Sequence, residues 1–150
     1  MTKTLHATLV FERVVVAPPS AVFAAFADPV ERAKWGTPSD TAVVIYDETA
    51  FREGGHDCFR CGSKINPNIH GVTRYLDIQV NRRIVSSETI TVDGKRLCAS
   101  LNTLELTADG QRTRLKSTTQ LVSFIGQDMV NGHTTGTNAS LDNLVRHFAE

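Results

Sequence analysis

The sequence predicts an α+β fold: a curved antiparallel sheet of six to seven strands wrapped around a long C-terminal helix, with two short helices after the first strand. Three observations point to it. Residues 41 to about 122 form a succession of alternating apolar runs separated by turn residues. The connections between those runs are too short for parallel crossovers, so hairpins join neighbouring strands. Residues 126–149 instead carry apolar side chains at helical spacing.

The elements follow in order. Residues 5–16 alternate and are rich in Val, Leu, Phe and Thr, which favours a strand. Ala17-Pro18-Pro19-Ser20 ends it. Ser20 is placed to cap a short helix over Ala21 to Ala27, with Val22, Phe23 and Phe26 as its apolar positions. Asp28-Pro29 reads as an N-cap followed by a first-turn proline, opening a second short helix that ends near Trp35-Gly36. Strands are then expected over 42–47, 50–60, 70–78, 83–92, 96–107 and 112–122, punctuated by Gly62 to Asn68, Gln79 to Asn81, Asp93-Gly94 and Asp109-Gly110. Gly54-Gly55 reads as a bulge or bend that lets the sheet curl. In the last segment Val130, Thr134, Thr137, Leu141, Leu144, Val145 and Phe148 share one stripe.

Composition narrows the function classes. The 150 residues suit a single domain over 1–150. Sixteen basic residues balance sixteen acidic ones, so the basic excess of a nucleic-acid or anionic-membrane binder is missing. No run approaches the ~20 apolar residues of a membrane span. The N-terminal apolar stretch is broken by His6, Thr8, Glu12 and Arg13, unlike a signal peptide, so a cytoplasmic protein is expected. Three cysteines are an odd count and a poor disulfide framework.

Residues 11–36, "FERVVVAPPSAVFAAFADPVERAKWG", resemble the opening of the START-like (SRPBCC) helix-grip superfamily, and in particular the heat-shock-chaperone ATPase activator homologue family. "FREGG" (51–55) is similar to that family's Arg-x-Gly-Gly strand. "RYLDI" (74–78) resembles its Gly-x-Tyr-x-Glu-Ile strand, with Thr73 in place of the glycine. "DGQRTRL" (109–115) and "ASLDNLVRHFA" (139–149) resemble its last hairpin and its helix end. The resemblance spans nearly the whole chain. It implies a sheet gripping the C-terminal helix around a cavity. The superfamily includes lipid carriers, hormone receptors and polyketide cyclases and shares no catalytic residues, so the resemblance implies a pocket and not a reaction.

Register arithmetic builds the inner face, because opposed residues in a hairpin keep a fixed offset. A turn centred on Asn81 pairs Ile78 with Ile84, Leu76 with Ser86, Arg74 with Glu88 and Val72 with Ile90. A two-residue Asp109-Gly110 turn pairs Leu104 with Leu115, Asn102 with Ser117 and Ser100 with Thr119. Between them, a two-residue Asp93-Gly94 turn would turn Leu97, Ala99 and Leu101 inward. A three-residue Asp93-Gly94-Lys95 loop selects Cys98, Ser100, Asn102, Leu104 and Leu106 instead. Only the latter agrees with the next hairpin unless a bulge intervenes, so the three-residue loop is expected.

Two polar rows then lie beside an apolar one: Arg74, Glu88, Ser100, Thr119, and Leu76, Ser86, Asn102, Ser117. A face built only for packing would not gather those groups, since each needs a partner or water. The expectation is a partly polar, hydrated pocket with Arg74 and Glu88 as a cross-strand ion pair. The alternative is that this face is outward and merely solvated. On the helix, Thr134 and Thr137 replace apolar residues, His133 lies beside them, and Gly132 and Gly136 each cost about 1 kcal/mol against alanine. That pattern suits a cavity under the helix, or a loosely packed segment.

Cys58-Phe59-Arg60-Cys61, with His56, His70 and Cys98, suggests zinc or redox chemistry, but residues three apart on a strand point to opposite faces unless a bulge intervenes. No metal and no cofactor is therefore expected. His133 suits acid–base work because histidine titrates near neutrality, although a lone helical histidine more often packs. Trp35 is expected to seal the core or the pocket rim. Tyr46 and Tyr75 can reach the pocket, with their faces undetermined. The leading reading is a small-molecule binding protein whose ligand has an apolar body and a polar or anionic group for Arg74. The alternatives are a cyclase, dehydratase or hydrolase using His133 or Glu88, and an interaction module for a chaperone ATPase. An exposed edge strand is compatible with a homodimer.

Overall fold

A computed structural model describes residues 4–37 and 39–149. Among these the order is β1 (Leu5–Val15), α1 (Pro19–Ala27), α2 (Pro29–Gly36), β2 (Ala42–Glu48), β3 (His56–Ser63), β4 (Ile69–Gln79), β5 (Arg83–Val92), β6 (Lys95–Asp109), β7 (Arg112–Ser123) and α3 (Gln127–Phe148). The strands form one antiparallel sheet in the order β1-β7-β6-β5-β4-β3-β2. One face packs on the helices, giving the expected α+β architecture. No described helix is long and apolar enough to cross a membrane.

The local signals act largely as expected. Asp28 caps α2, its Oδ1 accepting from the Val30 amide at 2.9 Å, with Pro29 at the first helical position. Ser20 does not cap α1. The helix begins at Pro19, because a proline suits the first turn, and Pro18 stands at its N-cap without a side-chain bond. Residues 50–55 are not strand. They make a turn, with Gly54 at φ 81°, whose ends bond Tyr75: the Gly54 amide donates to its carbonyl at 2.9 Å and its own amide donates to Gly55 O at 3.0 Å. A Cβ on Gly55 would stand 2.3 Å from the Ala50 carbonyl oxygen, so this turn requires glycine there.

Three register details differ from expectation. A bulge between Tyr75 and Asp77 re-pairs the first half of β4, so Tyr75 faces Ser86, Arg74 faces Ser87 and Thr73 faces Glu88. The bulge swaps the faces, and Tyr75 and Thr73 replace Leu76 and Arg74 inside. The β5–β6 connection is the two-residue turn, with Val92 opposite Lys95, followed by a shift that sets Ile90 opposite Cys98. The inward set Cys98, Ser100, Asn102, Leu104 and Leu106 therefore stands, by turn plus bulge rather than by a longer loop. In β6–β7 Asp109 pairs with Arg112, which slides the partners along by one pair on the same face: Asn102 meets Thr119 and Leu104 meets Ser117.

The core lies at one end of this face. Val15, Val22, Leu115 and Leu144 are wholly or almost wholly buried there. Burying such a side chain contributes about 1.5–3 kcal/mol. Polar ties fix the second half of α3: Ser140 Oγ donates to Gly36 O at 2.8 Å, Asn143 Nδ2 to Thr37 O at 2.7 Å, and Arg13 Nε to Asp142 at 3.0 Å. The first half of α3 remains helical through both glycines. Where Phe59 crosses β4, its ring lies on Gly71, and a Cβ there would come within 2.0 Å of it.

Candidate functional site

Away from that core the inner face of the sheet turns polar, and a cavity of about 320 Å³ opens between sheet and helices. Strand alternation sets its floor. Thr73 and Tyr75 of β4, Ser86 and Glu88 of β5, Asn102 and Leu104 of β6, and Ser117 and Thr119 of β7 all point in. His133 and Thr137 of α3 form the roof, and Phe26, Phe51 and Phe59 form apolar walls.

Of the residues singled out in sequence, the structure thus gathers Ser86, Glu88, Asn102, Ser117, Thr119, His133 and Thr137. It leaves out three. Arg74 is exposed on the opposite face, turned there by the β4 bulge, and the Arg74–Glu88 ion pair is not formed. Ser100 is buried beside the cavity and accepts from Asn102 Nδ2 at 3.1 Å. Trp35 backs the wall rather than lining it: its Nε1 donates to Ala25 O at 3.1 Å, and its ring packs edge-on against Phe26, 4.7 Å between centroids.

Glu88 is the acidic group of the cavity lining, and it is thinly partnered. Its carboxylate accepts one long hydrogen bond, from Thr73 Oγ1 at 3.4 Å. Among the described residues its nearest basic group is His133, with Nε2 at 4.0 Å from Oε1. Burial pushes the Glu88 carboxyl up to about 7, against a small opposing effect of the Thr73 hydroxyl. Burial pulls His133 below its ordinary 6.5. Burial thus favours the uncharged form of each group, and it brings the Glu88 carboxyl into the range where a general acid or base works.

Sequence reasoning missed a second polar feature. Arg32 of α2 reaches inward and donates from Nη1 to Asp57 Oδ2 at 2.6 Å and to the Tyr75 hydroxyl at 3.1 Å. The Tyr75 hydroxyl donates to the same carboxylate, and the Ala50 amide donates to its Oδ1 at 3.2 Å. Asp57 is fully buried, and the guanidinium lies 4.6 Å over the Tyr46 ring. Two nitrogens of Arg32, Nε and Nη2, are buried without a partner among the described residues. Two sequence signals were available. Arg32 stands three residues before Trp35, on the same buried helical face. Asp57 is in phase with Phe59 on β3. Asp57 pairs with Nη1 of Arg32, so the cavity lining offers an occupant both the Glu88 carboxyl and the unpaired side of this guanidinium.

The cysteines fall as strand parity requires: Cys61 lies on the inner side and Cys58 on the outer. All three are free. Burial, aided by the charge of Glu88, raises the Cys61 and Cys98 thiols to about 11, which suits inert packing residues.

Comparison with known proteins gives a consistent picture. A family model described as "Activator of Hsp90 ATPase homolog 1-like protein" matches residues 16–149. No curated protein matches. Among solved structures, the Mll3558 protein from Rhizobium loti is 32% identical, covers 96% of this chain and 98% of its own, and superposes with a TM-score of 0.83. An uncharacterized protein from Rhizobium leguminosarum is 28% identical over 96% and 95%, with a TM-score of 0.82. The CV1439 protein from Chromobacterium violaceum, 24% identical over 96% and 99% with a TM-score of 0.77, shares the fold.

Proposed function

This chain belongs to the family of activator of Hsp90 ATPase homolog 1-like proteins, and we propose that its sheet–helix cavity binds a small molecule. One observation carries the reading: Glu88 faces the cavity with one long hydrogen bond and, among the described residues, no basic group within 4.0 Å except His133. A carboxyl so placed is costly unless something supplies the missing partner. The volume, about 320 Å³, is at the lower end of the ~300–1,000 Å³ of small-molecule sites. The occupant has an apolar body against Phe26, Phe51 and Phe59 and a group that donates a hydrogen bond to Glu88. An anion seeking Arg74 finds that residue on the other side of the sheet. Native mass spectra of freshly purified protein, beside a denatured control, test this. A reproducible extra mass in the native spectrum alone supports the reading. A bare chain in every preparation, with no hit in a thermal-shift screen of apolar alcohols and amines, refutes it.

A second reading is favoured by the 4.0 Å separation of Glu88 and His133 and by their opposite displacements from ordinary acidity. Such a pair can take a proton from one atom of a bound compound and return it at another. In heavy water the protein would then exchange carbon-bound hydrogens of its ligand for deuterium, and Glu88→Gln would abolish the exchange. Exchange no faster than without protein would leave binding as the whole function.

A further inference from the structure

The Cys-x-x-Cys of β3 is divided between the faces of the sheet, and its outer half meets new neighbours. Cys58 shares the outer face with His56, two residues earlier. An irregularity in β2 between Tyr46 and Glu48 sets Glu48 opposite Cys58. A thiol, an imidazole and a carboxylate thus converge, one ligand atom of each within 4.8 Å of the others. Glu48 Oε2 and His56 Nε2 are 3.1 Å apart. Around a tetrahedral zinc ion with bonds of about 2.0–2.3 Å, neighbouring ligand atoms stand about 3.4–3.6 Å apart. Side-chain rotation alone closes the difference, and Glu48 and His56 are free to make it, at 65% and 41% exposure.

We propose that Glu48, His56 and Cys58 bind a thiophilic divalent cation of the zinc class on the outer face of β2 and β3, leaving one coordination position open. The donor set argues for the class. Thiolate and imidazole suit zinc, whereas magnesium and calcium take oxygen ligands. The ladder pre-positions the ligands, two by strand alternation and the third by cross-strand pairing. On binding, the Cys58 S–H bond breaks, the sulfur–metal bond forms and the proton passes to solvent. Arg74 stands opposite His56 on the same face, and its charge opposes the cation. The site is separate from the cavity.

The test uses the whole chain, stripped by chelator, titrated with zinc by calorimetry and with cobalt by absorption. The proposal expects one equivalent and a thiolate-to-cobalt charge-transfer band that zinc displaces. Cys58→Ser removes the band, and His56→Ala weakens zinc binding at least about tenfold. Arg74→Gln tightens it, and Cys61→Ser changes nothing. Each substitution except the last is on the outer face, and circular dichroism verifies folding. The absence of a thiolate band, its survival in Cys58→Ser, or its loss in Cys61→Ser overturns the proposal.

Discussion

Glu88 of β5 and His133 of α3 face each other across the sheet–helix cavity, with Oε1 and Nε2 4.0 Å apart. Neither has a stronger ionic partner among the described residues, and burial favours the uncharged form of both. The consequences for stability follow from the direction of each displacement.

The Glu88 carboxyl rises from 4.5 to about 7 on folding. Its ionised form is disfavoured in the folded state, so the fold loses stability as pH rises from 4.5 through about 7. Glu88→Gln removes that loss. It is expected to stabilise the protein at pH 8 by up to about 3 kcal/mol, less where the cavity admits water, and to change little near pH 5. Denaturant unfolding at both pH values measures this. Equal destabilisation at both would contradict it.

His133 acts in the opposite sense. Its folded-state pKa lies below 6.5, so its contribution is present above that value and is lost as pH falls through the folded one. Titration of the His133 ring by NMR should give a midpoint below that of a free histidine. A midpoint above it would mean that Glu88 holds an imidazolium.

Asp57 neutralises Arg32 in the core, so Asp57→Ala should cost about 3–5 kcal/mol by leaving a buried cation unanswered. Removing both, as Arg32→Met with Asp57→Ala, should cost less than the separate changes add up to. A double-mutant cycle in urea gives the coupling, and strict additivity would mean that the two do not act as a pair.

Gly71 is held small by the Phe59 ring. Gly71→Ala should destabilise by about 1–3 kcal/mol through overpacking. Adding Phe59→Leu should recover part of it, and thermal unfolding of the three variants decides the matter.

Much of this was legible in the chain. Asp28-Pro29 marked α2, and the phase that Ser86 and Glu88 share with Ile84 and Ile90 marked the inner face of β5. Seven of the ten residues singled out in sequence line the cavity. The failures have local causes. One extra residue at Leu76 moved Arg74 from the inner face to the outer, because strand parity has a period of two and a single bulge inverts it. Arg32 and Asp57 were passed over because each looks like a surface charge in its own segment. Only the fold, which lets Arg32 of α2 reach Asp57 on β3 and Tyr75 on β4, makes them one buried unit. The β6 face came out right because turn length and bulge offset each other, a compensation that spacing alone does not reveal.

Whether the cavity is a ligand site is tested by a heteronuclear NMR titration with the compound released from the native protein, or with apolar alcohols and amines. Shifts are expected to saturate together at Ser86, Glu88, Asn102 and Thr119 on the sheet and at His133 and Thr137 on α3, with Arg74 and Cys58 unmoved. Shifts confined to the outer face, or none with any compound, would contradict a ligand site in the cavity.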